Sequence, residues 1–415
     1  MNASLLHGLM WVIFAFTYIG LAFGKYPWLV LDRAGIALVG GIAMLLIGAL
    51  GIHQAAGSID YRTILLLFGL MVFSAQLHEA GFYDSVGEKL THLSERPKTL
   101  LACLILVSAV LSALLANDIV CLAFTPLLCA SLIRAGRNPI PYLLALATSS
   151  NIGSASTLIG NPQNMYIGSA SGLLFGSYVF RMLVPVLVGL LLCFVGVVVI
   201  FGDALREKHD FKPAQQPEVH PPEWHLIVKT LVLLVGLIGY FVFARGSDAA
   251  EHRSIAALAG AGVLFFSHHP KAAKLYTRVD FNLILLFLGL FVVNGAMSNQ
   301  HLTNQIFGFI RQLHIDLNHP VMLAGAATVL SNIVSNVPAV LLLSPAVHSS
   351  RDWYLLALIS TFAGNLTLVG SIANLIVAEG ARKFDVKISL WTYCKLGVPL
   401  TVGTVIVGTL WLMWI

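Results

Sequence analysis

Charge is scarce in this chain. Asp, Glu, Lys and Arg make up only 10% of its 415 residues, where a soluble domain carries about 25%. So little charge excludes an ordinary water-soluble fold. Basic runs are missing too. The 24 Lys and Arg against 19 Asp and Glu leave +5 without a cluster, which excludes a track for nucleic acid. Cysteine is sparse. Cys103, Cys121, Cys129, Cys193 and Cys394 all lie in apolar segments, so free thiols are expected, with neither a disulfide framework nor a soft-metal cluster. The 14 histidines fall mainly in loops and lack ligand spacing. No nucleophile, metal-ligand or phosphate-loop pattern occurs, so no enzyme, no ATP-driven machine and no cofactor is expected.

What abounds is apolar sequence. Hydrophobic residues form 58% of the chain and its mean hydropathy is +0.85, which predicts an all-α polytopic membrane protein. Apolar segments fall near 8–24, 29–52, 62–80, 101–132, 142–170, 182–202, 226–244, 253–267, 280–298, 319–347, 353–380 and 395–414. Segment 8–24 has no Lys or Arg before it and reads as a retained helix, not a signal peptide. The most polar connector, 204–224, holds Lys208, Lys212, Pro213 and Pro217. It reads as a linker between residues 1–203 and 225–415.

These two parts resemble each other. Arg33-Ala34-Gly35 before Gly40 is echoed by Arg253-Ser254-Ile255 before Gly260. Asp60 leading to Gly69 is echoed by Asp280 leading to Gly289, at the same spacing of 220 residues. Asn117 and Pro126 match Asn336 and Pro345 at a spacing of 219, and Thr157, Gly160 and Asn164 match Thr367, Gly370 and Asn374 at 210. Several anchors at nearly one offset identify a duplicated unit.

Segments 101–132 and 319–347 each have a polar centre, at Asn117-Asp118 and at Ser331 to Asn336 before Pro338. Split there, each half holds about 15 residues, short of a full crossing, so both read as re-entrant hairpins. Each repeat then has five spans, and an odd number inverts the second repeat. One face receives eighteen of the 24 Lys and Arg. The positive-inside rule makes that face cytoplasmic and puts both termini on the other side. Stretch 81–100 reads as an interfacial linker helix.

Polar breaks also interrupt two helices. The first, about 142–170, contains Ser150, Asn151, Gly153, Thr157, Gly160, Asn161, Pro162 and Asn164. The second, about 353–380, contains Gly364, Asn365, Thr367, Gly370, Ser371 and Asn374. Proline removes a helix hydrogen bond, and irregular backbone at membrane depth persists only where protein buries it or a cavity hydrates it. The alternative is a packing kink with small residues against a neighbour, but packing does not require four amides. An unwound substrate or ion site is the preferred reading. Half-helix N-termini would present N–H groups to an anion, and free carbonyls with Asn, Ser and Thr oxygens would suit a small cation. The hairpin tips add Asn117, Asp118, Ser335, Asn336 and Pro338. Asp118 is the one acid at predicted membrane depth near a break. It reads as a cation ligand or proton carrier, or as a helix cap.

At these residues the sequence resembles the ion transporter superfamily, in its arsenite-permease and sodium/proton-antiporter branch, related to divalent-anion/sodium symporters. The carrying motifs are Leu115-Ala116-Asn117-Asp118, Ser150-Asn151-Ile152-Gly153 through Gly160-Asn161-Pro162-Gln163-Asn164, Ser335-Asn336-Val337-Pro338 and Gly364-Asn365 through Asn374. The resemblance implies a homodimer in the inner membrane whose hairpins and broken helices move as a rigid body past a scaffold. The dicarboxylate symporters carry Ser-Asn-Thr at both tips, where this chain has Ala116-Asn117-Asp118 and Ser335-Asn336-Val337. Losing the threonines argues against a dicarboxylate, and the added acid argues for a different ion. The expectation is a secondary transporter of a small anion coupled to sodium or protons. The alternatives are a cation/proton antiporter, an arsenite-type efflux permease and a sensor that kept a transporter fold.

Overall fold

The computed structural model describes residues 2–24, 26, 30–206, 221–246, 248–266 and 275–415. The linker expected at 204–224 lies mostly outside these residues. Among the described residues the chain is all helical. Its first part forms α1 (Ala3–Phe23), α2 (Arg33–Leu46), α3 (Ile52–Ser58), α4 (Tyr61–Glu79), α5 (Phe82–Thr91), α6 (Pro97–Leu114), α7 (Asn117–Arg134), α8 (Ile140–Ser154), α9 (Pro162–Ala170), α10 (Phe175–Ile200) and α11 (Gly202–Arg206). Its second part forms α12 (Trp224–Phe243), α13 (Ala249–Phe265), α14 (Phe281–Asn299), α15 (Leu302–Gln312), α16 (Pro320–Val334), α17 (Asn336–Leu343), α18 (Ser350–Ala363), α19 (Ile372–Arg382) and α20 (Leu390–Trp414). Eight of the described helices, α1, α4, α6, α7, α10, α12, α14 and α20, are long and apolar enough to cross a membrane.

Lipid-facing and core-facing helices separate by sequence. Leucine and valine dominate α10, whose exposed residues include Phe180, Leu187, Leu191 and Val199, as a helix bathed in hydrocarbon requires. In contrast, every residue of α8 from Pro141 to Ser154 is buried, polar ones included. The centre of the molecule is therefore the polar helix, wrapped by apolar ones.

The packing repeats itself. Helix α2 lies along α14, and α4 lies along α13. Under the 220-residue offset α2 corresponds to α13 and α4 to α14, so these are one pairing made twice. The two crossings use matching residues. A Cβ on Gly289 would fall 2.3 Å from the backbone of Ala37, and one on Gly69 would fall 2.7 Å from the backbone of Ala257. Ala37 and Ala257 are themselves 220 apart, so glycine is needed at both crossings because backbone meets backbone. Likewise α6 packs on α8 and α16 on α18, while α7 lies against α19 and α10 against α20.

The segments expected as hairpins depart from the sequence reading. Helices α6 and α7 have 18 residues each, not about 15, and each is long enough to cross. Pro97 at the start of α6 is already helical, because its missing N–H is an orphan there anyway. The break between them is only Leu115-Ala116, so Asn117 and Asp118 belong to the first turn of α7. Helices α16 and α17 have 15 and 8 residues, not about 15 each, and both are shorter than a crossing needs. Their junction, Ser335, has φ 75° and ψ 163°, a region a side chain rarely adopts. Within 81–100 only Phe82–Thr91 is helical before α6 begins, and it packs on α7.

Candidate functional site

Two helix breaks face each other at the centre. The first separates α8 from α9. Asn161 is the N-cap of α9, and its Oδ1 accepts from the Asn164 N–H at 2.9 Å. Pro162 follows at the first helical position, where proline costs no hydrogen bond. A Cβ on Gly160 would lie 2.2 Å from the Ser154 carbonyl oxygen, so only glycine lets the chain fold back on the end of α8. The break is shorter than the sequence reading allowed. Ser150, Asn151 and Gly153 are still helical, and only 155–161 is irregular.

The second break lies between α18 and α19, over residues 364–371. One asparagine laces each break. Asn164 Nδ2 donates to the carbonyls of Thr157 at 3.1 Å and Ser154 at 3.5 Å. Asn374 Nδ2 donates to those of Thr367 at 3.1 Å and Gly364 at 2.8 Å. The donors are 210 residues apart and so are both acceptors. The backbone groups that a broken helix leaves free are thus satisfied by a side chain placed alike in both repeats.

Asn151 joins the breaks. Its Nδ2 donates to Asn365 Oδ1 at 2.9 Å and Asn374 Oδ1 at 3.2 Å. Its Oδ1 accepts from Asn117 Nδ2 at 3.2 Å and from the Ser371 hydroxyl at 3.1 Å. Asn161 Nδ2 donates to the hydroxyls of Ser154 at 3.0 Å and Thr361 at 3.1 Å. Each of these asparagines is buried. A network of neutral amides in low dielectric is held by mutual satisfaction. It offers donors and acceptors with no fixed charge.

The other predicted residues are spread around this cluster. Ser150 shares a hydroxyl contact of 2.8 Å with Ser112, and Thr157 Oγ1 donates to the Ala113 carbonyl at 2.5 Å. Thr367 Oγ1 donates to Asn332 Oδ1 at 3.2 Å. Gly153 faces Ala109 of α6, and a Cβ on Gly370 would lie 2.7 Å from Asn332 Oδ1. Asn336 is buried with its Oδ1 unpaired, and its Nδ2 lies beside Gly364. Pro338 is buried two residues further along α17. Asp118 is half-buried in the first turn of α7 and makes no hydrogen bond or ion pair among the described residues. It therefore does not cap, and it stands beside Asn117 at the positive end of the α7 dipole.

The sequence reading missed Thr361 and left Gln163 and Asn332, although inside its motifs, out of the candidate site residues. Thr361 receives both Asn161 and Gln163, the latter at 3.3 Å. The signal was present, since Thr361 is the residue 210 after Asn151. Among the described residues no three His, Cys, Asp or Glu side chains cluster to hold a metal. A bound cation would rely on amide, hydroxyl and carbonyl oxygens, with Asp118 the nearest acid in sequence.

A family model described as citrate transporter matches residues 11–352. The silicon efflux transporter LSI3 of Oryza sativa subsp. japonica is 28% identical, covering 98% of this chain and 96% of its own length. A Dictyostelium discoideum transporter named arsB is 25% identical over 91% of this chain and 86% of its own. Among solved structures, Neisseria gonorrhoeae MtrF, described as illuminating a class of antimetabolite efflux pumps, aligns with a TM-score of 0.59 at 13% identity. That alignment covers 99% of this chain and 95% of MtrF, and the likeness is one of fold.

Proposed function

The chain belongs to the citrate transporter family of membrane transporters, and from that premise we propose that it is a secondary active transporter of a small anion, coupled to sodium or protons. The observation that carries the proposal is Asn151. One buried side chain ties the tip of α7 to both helix breaks through Asn117, Asn365, Ser371 and Asn374. Such a node has no structural need of four polar partners, since an apolar side chain would fill the same space without desolvating amides. A ligand that displaces these bonds meets preorganised donors at the N-terminal ends of α9 and α19 and acceptors in the same shell.

In this reading residues 1–203 and 225–415 are inverted repeats, and α6–α7 and α16–α17 are hairpins opening to opposite faces. The doubled α2–α14 and α4–α13 pairing supports that arrangement. Those helices form the scaffold, with a homodimer contact on it. The unit of α6 to α9 and α16 to α19 moves as one body. The eighteen-to-six distribution of Lys and Arg supports an orientation with both termini outside the cytoplasm, and an inner-membrane location belongs to the same reading. The name of LSI3 and that of arsB are compatible with efflux, so an arsenite-type efflux permease is the same machine with another substrate. The unpaired Asp118 favours a second reading, cation/proton antiport, in which that carboxylate exchanges the two ions.

Thermal stability of the purified protein separates these readings, with sodium titrated at several pH values against a panel of anions. Stabilisation by an anion only with sodium or at low pH is the expected result. Stabilisation by sodium or lithium alone, lost at low pH and indifferent to anions, would establish the antiporter. A silent panel would remove the anion proposal.

A further inference from the structure

Arg253 is a buried cation that no anion among the described residues meets. It is 3% exposed, sits on α13, and makes no ion pair among the described residues. Its fork instead grips backbone carbonyls. Nη2 donates to the Gly168 oxygen at 2.8 Å and Nη1 to the Leu173 oxygen at 3.2 Å. Gly168 lies in the last turn of α9, whose carbonyls have no partner within the helix. No basic residue of α9 itself occupies that turn, so the cation that complements the dipole arrives from another helix. The seam around it is closed. A cavity of only about 10 Å³ remains between Arg62, Leu66, Leu158, Phe175 and Arg253.

Its counterpart behaves otherwise. Arg33, 220 residues earlier, is half-buried and makes no hydrogen bond or ion pair among the described residues. The helix equivalent to α9 is α19, and it carries its own Arg382 in the last turn. Among the described residues, one end of the molecule therefore has a cross-helix clasp with no counterpart at the other. The two charge-assisted bonds to carbonyls offset the cost of desolvating this guanidinium. Those bonds form in this arrangement of α9 and α13 and are lost when the helices part.

We infer that Arg253 is a one-sided latch: it fixes α9 of the moving unit to α13 of the scaffold, and it biases the transporter toward the conformation in which this seam is shut. The inference rests on the moving-unit reading above, but its test needs no substrate. Ser169 lies in the same seam, 7% exposed, with its hydroxyl unpartnered. Ser169→Cys would be probed with a water-soluble maleimide after Cys103→Ser and Cys394→Ser remove the two half-buried thiols. Native Cys193, fully buried, serves as the internal control.

Arg253→Gln is expected to raise the labelling rate at position 169 about tenfold, the loss of one charged hydrogen bond. Arg253→Lys, which keeps the charge without the fork, should give a smaller rise. Arg33→Gln should leave the rate unchanged, and Cys193 should stay unreactive throughout. Unchanged labelling in both Arg253 variants would overturn the latch. So would an equal rise with Arg33→Gln, or a rise at Cys193 alongside position 169, which would mean general loosening. If the rate rises as expected while no anion responds in the stability panel, the latch stands and the anion reading falls.

Discussion

The two helix breaks share a backbone and differ in chemistry. Asn164 and Asn374 lace them through matching carbonyls, so the unwound shape is held alike in both repeats. Elsewhere the side chains diverge. Where α8 carries Asn151 ahead of the first break, α18 carries Thr361 ahead of the second. Where the first tip has Asp118, the second has Val337. Asn117 is hydrogen-bonded to Asn151, whereas the matching Asn336 has an unpaired oxygen. The comparison teaches that the fold constrains the lacing and leaves the lining free. A duplicated unit whose halves must stay superposable can become chemically one-sided only at positions that do not close the break.

The sharpest way to break the comparison is at the one charge it does not share. Asp118→Asn should abolish ion coupling in proteoliposomes with an imposed gradient, while the melting temperature and oligomeric state of the protein stay as they were. No hydrogen bond among the described residues depends on that carboxylate, and removing a half-buried charge that has no partner does not destabilise. Normal transport by Asp118→Asn would show that the two tips are equivalent after all.

The next effects fall on features the halves share. Gly289→Ala and Gly69→Ala both drive a methyl into helix backbone, and overpacking of this kind costs about 1–3 kcal/mol. Gly289→Ala should lower the melting temperature more, since its Cβ would meet Ala37 at 2.3 Å against 2.7 Å for Gly69 at Ala257. Below these come the laces. Asn164→Ala strands the carbonyls of Ser154 and Thr157, while Asn374→Ala strands that of Gly364 and also frees the Asn151 amide, each a loss of roughly 1–3 kcal/mol that thermal unfolding should show. No loss in either variant would mean that these asparagines do not hold the breaks.

Much of this was legible in the sequence, and the misses have a physical cause. Gly160 before Pro162 and Gly364 before Gly370 marked the breaks because no regular helix gains from them. Asp60 and Asp280 marked the residues just before α4 and α14. What could not be read was where each helix gives out. Ser149 to Ser154 looked unwound by composition. Yet Thr148, Ser149 and Ser154 return their hydroxyls to carbonyls three or four residues back, so they spend their polarity inside the helix. The arms of α6–α7 were underestimated for a related reason, because Pro97 and Asn117 each look like a stop and each begins a helix. Thr361 escaped because its partners Asn161 and Gln163 come from about 200 residues away.

The smallest effect tests the node itself. Asn151 holds four side-chain partners, two on each side of its amide. Asn365 holds Asn151 and donates to the Thr148 carbonyl at 3.3 Å. Asn151→Ala therefore frees groups on the tip of α7 and at the second break, while Asn365→Ala frees groups on α8 only. Whichever ion stabilises the native protein should bind Asn151→Ala about tenfold more weakly, a change of about 1.4 kcal/mol. The loss for Asn365→Ala should be smaller, on the order of threefold, about one ordinary hydrogen bond. Titrating the ion against melting temperature gives both numbers on one scale. Equal losses would make the breaks symmetric partners in binding. No loss in either would remove the unwound site from the functional reading and leave the amides as structural glue.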